Sequence, residues 1–252
     1  MTMNLILLDP EDLRGGEARL TGRRAQHVLE VIRPSLGASL RVALVRGRVG
    51  TGRVLSLGAG EVRLEVTLAG PPGTAAPRPP VDLVLAVPRP KVLLRVLGAA
   101  AAAGVGRIDL VNAWRVDKSY LASPALAPDR LEAALRRGAE QGATPWVPEV
   151  ALHSRLMQYL DEVLPARRAR EARLLLHPRA PRLLESALPP GTDSEVLASV
   201  GPERGWIDRE VETFEERGFA SARLGEAVLD VAPAVSCLLG QLALLGRLPG
   251  RH

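Results

Sequence analysis

Short apolar runs alternate with amphipathic stretches along the part of the chain that follows residue 80. Apolar runs of about four to eight residues are typical of buried strands, and apolar positions repeating about every three to four residues are typical of helices. The pattern predicts strands at 81–87, 108–112, 174–176 and 196–200, and helices at 91–103, 126–142 and 208–217. Because strands and helices alternate, we expect an α/β fold with a parallel sheet.

The first 70 residues have a different pattern, in which β-rich runs predominate. These runs lie at 4–8, 40–45, 49–57 and 62–68. One helix is predicted from Arg23 to Arg33, with Val31 among the residues of its buried side and Pro34 ending it. The last three β-rich runs predict a small antiparallel barrel.

A proline-rich segment at 71–80 separates these two patterns. Proline removes backbone donors and favours extended polyproline II structure, so the segment is interpreted as a linker. The sequence therefore predicts a first domain at 1–70, a linker at 71–80 and a second domain at 81–252.

The stretch from Val196 to Leu245 combines two glycine-containing loops with an apolar helix. The first loop, 201–205, follows a predicted strand, and the second, 222–229, follows a helix that Gly218 ends. In open α/β sheets small molecules bind at the carboxyl ends of strands, where glycine lets the backbone approach a ligand closely. The wide apolar face of the last helix requires deep burial or a partner.

Composition and charge indicate a globular protein with a polyanionic partner. The chain of 252 residues is 46% hydrophobic, and its net charge of +5 with a sequence pI near 10.2 favours a polyanionic partner. The single cysteine, Cys237, excludes a disulfide framework and fits a reducing cytoplasm. No apolar stretch is long enough to span a bilayer, and no metal-ligand or nucleophile constellation is present.

Two further groups of residues are interpreted as surface features. The basic cluster from Arg167 to Arg173, which includes Arg168 and Arg170, is read as a solvated face. His153 is also placed at the surface.

The motifs of the C-terminal stretch resemble those of one family. Three motifs follow one another there: Gly201-Pro202-Glu203-Arg204-Gly205-Trp206, a helix ending at Arg217-Gly218-Phe219, and Leu224-Gly225-x-x-Val228-Leu229. Their order is similar to the signature of the small-subunit (16S) ribosomal RNA uridine-N3 methyltransferases. These enzymes form the RsmE family of the SPOUT superfamily. Further matches are His27-x-x-x-Val31-Ile32-Arg33-x-x-x-Gly37, Glu140-Gln141 and Pro148-Glu149-Val150.

The resemblance implies a fold and a function. It implies a SPOUT-type parallel sheet with a C-terminal trefoil knot, preceded by a PUA-like β-barrel that binds RNA. It also implies S-adenosylmethionine as cofactor, small-subunit ribosomal RNA as partner, and a homodimer formed through the C-terminal domain, with neither metal nor membrane involved.

The resemblance also implies roles for individual residues. Arg115 and Glu203 are expected to be catalytic, and no general base is assigned. The residues expected to bind the cofactor are His177, Pro178, Val200, Gly201, Pro202, Glu203, Gly205, Leu224, Gly225, Val228 and Leu229. Those expected to bind RNA are Arg23, His27, Arg33, Arg115 and Lys118.

The chain departs from the family pattern after the second loop. Where the family has Leu-Arg-Thr-Glu-Thr-Ala, this sequence reads Leu229-Asp230-Val231-Ala232-Pro233-Ala234. The departure motivates an alternative, a catalytically impaired RNA-binding or ribosome-assembly protein that keeps the fold. An α/β enzyme using another nucleotide cofactor is a third reading, disfavoured because no phosphate-binding glycine motif follows a strand.

Overall fold

The computed structural model describes residues 5–58, 60–167, 172–191 and 195–248, and the chain divides into two compact units. The first comprises residues 1–78 and 139–147, and the second comprises residues 79–138 and 148–252. Residues 139–147 thus belong to the first unit, although they lie within the stretch assigned to the second domain from the sequence.

The first unit is built on a mixed six-stranded sheet in the order β1-β4-β5-β6-β3-β2. Its strands are β1 (Ile6–Leu8), β2 (Leu13–Arg14), β3 (Glu17–Leu20), β4 (Ser39–Leu44), β5 (Val49–Gly58) and β6 (Glu61–Leu68). β1 pairs with β4 in parallel and the other neighbours are antiparallel. The antiparallel pairing predicted for the runs that became β4, β5 and β6 is confirmed, whereas the parallel pairing of β1 and the strands β2 and β3 were not predicted.

The helix of this unit changes its winding partway along. α1 (Gly22–His27) continues into a π-helical turn, Val28–Ile32, in which the Arg33 N–H donates to the Val28 carbonyl over 2.8 Å. A π turn is wider than an α turn, so the side chains that follow rotate out of the α-helical register. Val31 is consequently 61% exposed, and the prediction that it lies on the buried side was wrong.

Segment 139–147 is held in the first unit by backbone and arginine contacts. The Arg46 N–H donates to the Pro145 carbonyl at 2.8 Å, and its guanidinium donates to the Val147 carbonyl at 2.9 Å while lying over the Trp146 ring. Arg23 forms an ion pair with Glu140 at 3.1 Å. These contacts join residues far apart in sequence, which local patterns do not predict.

The second unit is built on a parallel six-stranded sheet in the order β12-β10-β11-β7-β8-β9. Its strands are β7 (Val81–Ala86), β8 (Arg107–Val111), β9 (Glu149–His153), β10 (Ala172–Leu176), β11 (Val196–Val200) and β12 (Ala220–Ala222). Its helices are α2 (Pro90–Ala103), α3 (Lys118–Leu121), α4 (Pro128–Gly142, whose last turn lies in the first unit), α5 (Leu156–Gln158), α6 (Leu184–Ala187), α7 (Asp208–Glu216) and α8 (Val231–Leu244).

The two central strands of this sheet form its apolar core. Every residue of β7 and of β11 is buried, as is usual where helices cover both faces of a parallel sheet. The predicted architecture, a β-rich N-terminal part followed by a parallel α/β sheet, is confirmed. The knot stays a prediction. No helix among the described residues is both long and apolar enough to cross a membrane.

A buried group of charges joins the first strands of this sheet to the segment before β10. The Arg167 guanidinium forms ion pairs with Asp82 and with Asp109, whose carboxylate also accepts from Arg107 and contacts His153 Nε2 at 2.9 Å. The hydrogen bond from Arg107 to Asp109 raises the pKa of Arg107 above its ordinary value. Arg167 is therefore not a solvated residue and His153 is not a free surface residue, so both predictions were wrong.

Of the other arginines in the predicted basic cluster, only Arg173 lies among the described residues. Arg168 and Arg170 lie outside the described residues. Arg173 donates to the Arg217 carbonyl at 2.9 Å, and its guanidinium lies 6.0 Å from the centre of the Phe219 ring. Arg173 is thus also engaged with the protein, and the prediction that it belongs to a solvated face was wrong for it too.

Two helices approach closely at a pair of glycines. A Cβ atom on Gly138 of α4 would lie 2.1 Å from the carbonyl oxygen of Gly98 in α2. We expect Gly138→Ala to lower the free energy of unfolding by about 1–3 kcal/mol, because the added methyl must push the helix backbones apart. Urea denaturation measures the change.

Gly240→Ala is the matched control for this substitution. Gly240 lies in α8, and a Cβ there would have no neighbour within 4 Å. It should raise stability by about 0.5–1 kcal/mol through helix propensity alone. Equal stability of Gly138→Ala and the parent protein would contradict the close approach.

Candidate active site at the carboxyl edge of the parallel sheet

A cavity of about 290 Å³ lies at the carboxyl ends of β10, β11 and β12. This is the edge at which open α/β sheets bind small molecules. Every residue predicted from the resemblance to bind the cofactor lines this cavity, and so do the predicted catalytic residues Arg115 and Glu203. Gly201 and Gly225, which are separated in sequence, therefore face one space.

Gly201 is required by an aromatic side chain packed against it. A Cβ atom at this position would lie 3.1 Å from Trp206 Nε1, which is closer than side chains normally approach. The indole of Trp206 is buried and is fixed from the other side by Phe214, whose ring centre lies 5.1 Å away. The first loop is therefore rigid where it borders the cavity.

The second loop is held by α8. Gln241 Nε2 donates to the Leu224 carbonyl at 2.7 Å, and Val231 and Ala234 of the same helix line the cavity. Asp230 occupies the N-cap position of α8 without a side-chain cap hydrogen bond, and it is not among the residues that line the cavity. Of the residues that differ from the family pattern after Leu229, Val231 lines the cavity, whereas Asp230, Ala232 and Pro233 do not.

His177 borders the cavity after β10. Its backbone N–H donates to the Ala222 carbonyl at 2.9 Å, and its Nδ1 accepts from the Arg179 N–H at 3.3 Å. The ring therefore caps the end of its own strand while His177 also lines the cavity. Among the described residues, no three His, Cys, Asp or Glu side chains are grouped so that they could hold a metal ion.

Arg115 connects two loops. Its Nη1 donates to the Arg204 carbonyl at 2.6 Å and to the Trp206 carbonyl at 3.4 Å. Within the described part of the chain, its Nε and Nη2 groups make no hydrogen bond to the protein, so donors remain for a ligand. Arg115 is thus placed to fix the first loop and to bind a ligand.

Glu203 is anchored in a similar way. One carboxylate oxygen, Oε1, accepts the backbone N–H of Arg89, which follows β7, at 2.8 Å. Its second oxygen makes no hydrogen bond to the described protein. The carboxylate is therefore fixed in position and keeps one oxygen for further contacts.

A buried carboxylate that the sequence analysis did not identify supports this edge. Glu210, in the first turn of α7, is 2% exposed; its Oε1 accepts the Trp114 N–H at 2.8 Å and its Oε2 accepts the Ile207 N–H at 3.0 Å. A glutamate in the first turn of a helix is a recognised capping signal, which could have pointed to the contact with Ile207. Nothing local predicts the contact with Trp114.

Further charged residues line the cavity. Arg179, Arg204 and Arg223 do so together with the carboxylate of Asp208. Two buried polar atoms of the cavity wall, Trp206 Nε1 and Arg223 Nη1, have no hydrogen-bond partner among the described residues. Buried donors without partners are costly, so the cavity favours a ligand that carries acceptor oxygens.

The residues predicted to bind RNA fall into both units. Arg23, His27 and Arg33 belong to the first unit, where Arg33 Nε donates to the Glu30 carbonyl at 2.7 Å. Arg115 and Lys118 follow β8 in the second unit and are exposed. Their assignment to RNA stays a prediction.

The fold and the cavity define a class, an α/β protein with a nucleoside-sized site built from loops at the carboxyl ends of parallel strands. The model of one family, the RNA methyltransferase domain, matches residues 75–243, which is more than half of the chain. The chain belongs to this family.

Individual relatives agree with the family match. A ribosomal RNA small subunit methyltransferase E from Treponema pallidum is 25% identical over 239 residues, which are 93% of this chain and 89% of the relative. The protein of that name from Synechocystis is 23% identical, with 95% of this chain and 77% of the relative covered. The family resemblance predicted from the sequence is confirmed.

A solved structure establishes the same fold. The ribosomal RNA small subunit methyltransferase E of Neisseria gonorrhoeae, bound to S-adenosyl methionine, superposes with a TM-score of 0.79 at 20% identity, covering 97% of this chain and 98% of that one. The likeness extends over both units.

The two hydrogen bonds of Glu210 provide a test of the supporting contacts. We expect Glu210→Ala to lower the free energy of unfolding by about 2–4 kcal/mol, since it leaves two backbone N–H groups without their acceptor. Glu212→Ala, on the exposed side of the same helix, is the control and should change stability by less than about 0.5 kcal/mol. Equal effects of the two substitutions in urea denaturation would contradict the bridging role.

Proposed function

We propose that this protein transfers a methyl group from S-adenosylmethionine to N3 of a uridine in small-subunit ribosomal RNA, in the cytoplasm. The observation that carries the proposal is the convergence of the loops after β10, β11 and β12 on one cavity in a chain of the RNA methyltransferase family. The names of the relatives, which are ribosomal RNA small subunit methyltransferases, support the choice of RNA.

The cavity fits the proposed cofactor on its own features. Gly225 lets the backbone approach a nucleoside closely, and the unpartnered donors of Trp206 and Arg223 can bind its hydroxyl or carboxylate oxygens. We assign the cofactor to the residues predicted above, from His177 to Leu229. When bound, S-adenosylmethionine supplies an electrophilic methyl group.

The protein contributes mainly by positioning. Methyl transfer requires the acceptor nitrogen to be held in line with the methyl group, and the uracil imide must lose its proton. Arg115 is assigned to bind a uracil oxygen and to stabilise the negative charge that develops there, because it has unused donors facing the cavity. Glu203 lines the same cavity with one oxygen held by the Arg89 N–H, and its free oxygen is assigned to contact the imide.

The remaining assignments follow from exposure and charge. The first unit is proposed to hold the RNA backbone through Arg23, His27 and Arg33.

A homodimer through the second unit is proposed because large apolar side chains are exposed there, among them Val228 and Leu244, which is 89% exposed. Sedimentation of the protein and of a Leu244→Glu variant tests the dimer: if Leu244→Glu sediments as the parent does, Leu244 is not in the interface.

The proposal that the cofactor lies close to the second loop is tested by adding one methyl group at Gly225. Gly225 has no neighbour within 4 Å of a would-be Cβ, so Gly225→Ala should leave the melting temperature unchanged. It should weaken binding of S-adenosylmethionine about 10- to 200-fold, because the methyl enters the cavity. Calorimetric titration measures the affinity, with Gly240→Ala as the control; unchanged affinity in Gly225→Ala would place the cofactor elsewhere.

The role of Arg115 is tested by turnover. Incubating the protein with labelled donor and undermethylated small subunits should label the RNA, and Arg115→Ala should lower kcat about 100-fold or more while retaining donor binding. Arg95→Ala, an exposed arginine of α2, is the control and should keep full activity. Donor binding without any transfer by the parent protein would favour the alternative, a non-catalytic ribosome-assembly protein.

A further inference from the structure

A second cavity, of about 470 Å³, adjoins the first at the same edge of the sheet. The two share Arg115, Glu203 and Arg204 as lining residues. Residues that follow β7 and β8 line the second cavity, residues that follow β10 and β12 line the first, and the loop after β11 lines both. Arg115 and the first loop therefore separate two adjacent spaces.

The second cavity presents an exposed indole. Trp114 is 80% exposed, although tryptophan is among the side chains that gain most from burial. Its backbone is not loose, because the Trp114 N–H donates to the buried Glu210 carboxylate at 2.8 Å. The other tryptophans differ: Trp206 is buried, and Trp146 packs under Arg46. A fixed backbone thus presents one large aromatic face to solvent.

The charges around this indole favour a polyanion. Arg89, Arg115 and Arg204 line the cavity. Its carboxylates, Glu203 and Asp117, are both engaged by backbone N–H groups, of Arg89 and of Ser119 respectively. The hydrogen bond from the Ser119 hydroxyl also keeps the pKa of Asp117 below its ordinary value. Both carboxylates therefore stay charged, but the three guanidinium groups outnumber them, which leaves the lining with a net charge of +1.

We propose that this second cavity binds an unpaired nucleotide of the substrate RNA, with its base stacked on Trp114 and its phosphate held by Arg89 and Arg204. An exposed aromatic face beside arginines is the arrangement that binds single-stranded RNA, since every base has a π face and every nucleotide a phosphate. The inference rests on the proposed function, because it places RNA next to the cavity assigned to the methyl donor.

Fluorescence titration of the full chain with hexauridylate tests the stacking. Binding should quench tryptophan emission in the parent protein and in Trp146→Phe, which is the control, but should cause no quenching in Trp114→Phe. Trp114→Ala should bind the oligonucleotide about 5- to 100-fold more weakly, with unchanged affinity for S-adenosylmethionine. Trp114→Phe, which keeps an aromatic face, should bind nearly as tightly as the parent.

The phosphate contact has its own readout. Arg89→Ala should reduce the slope of log affinity against log salt by about one, as expected for the loss of one phosphate contact. Arg95→Ala, which changes a neighbouring exposed arginine that does not line the cavity, should leave the slope unchanged. Equal slopes for Arg89→Ala and the parent would show that Arg89 does not contact a phosphate of the RNA.

Other outcomes separate this inference from the proposed function. Unchanged RNA affinity and unchanged KM for small subunits in Trp114→Ala would overturn the inference while leaving methyl transfer intact. Loss of self-association in place of RNA binding would assign Trp114 to a contact between copies and would also overturn it. Trp114-dependent RNA binding in a protein that transfers no methyl group would uphold the inference and refute the proposed function.

Discussion

Three hydrogen bonds between charged side chains and backbone groups hold together the loops at the carboxyl edge of the parallel sheet. The loop after β11 is tied to the end of β7 by Glu203, and to the loop after β8 by Arg115. Glu210 ties that same β8 loop to α7. Since charge-assisted hydrogen bonds are stronger than neutral ones, they fix the loops in the positions that create both cavities.

The cavity assigned to the methyl donor therefore depends more on backbone path than on the identity of its side chains. Gly201 is needed because Trp206 packs against it, whereas a Cβ atom at Gly225, which lines the cavity, would have no neighbour within 4 Å. The departure at residues 230–234 falls mainly on the start of α8.

The same residues serve both the fold and the proposed chemistry. Arg115 donates from Nη1 to the first loop, and its other guanidinium donors remain for a ligand. The side chain assigned to the uracil oxygen is thus also one of the groups that hold the loop bordering the first cavity. Buried charges away from the cavities, such as Arg167 with Asp82 and Asp109, serve the fold, because an unpaired charge there would be costly.

The sequence by itself determined the division into a β-rich part and an alternating α/β part, the two glycine loops and the family, because apolar periodicity and turn residues act locally. Only the tertiary structure decided that Arg167 and His153 join a buried charge cluster, that Val31 faces solvent after a π turn, and that Glu210 holds Trp114. Those facts depend on residues brought together from distant positions, and no local pattern records which distant groups a side chain will meet.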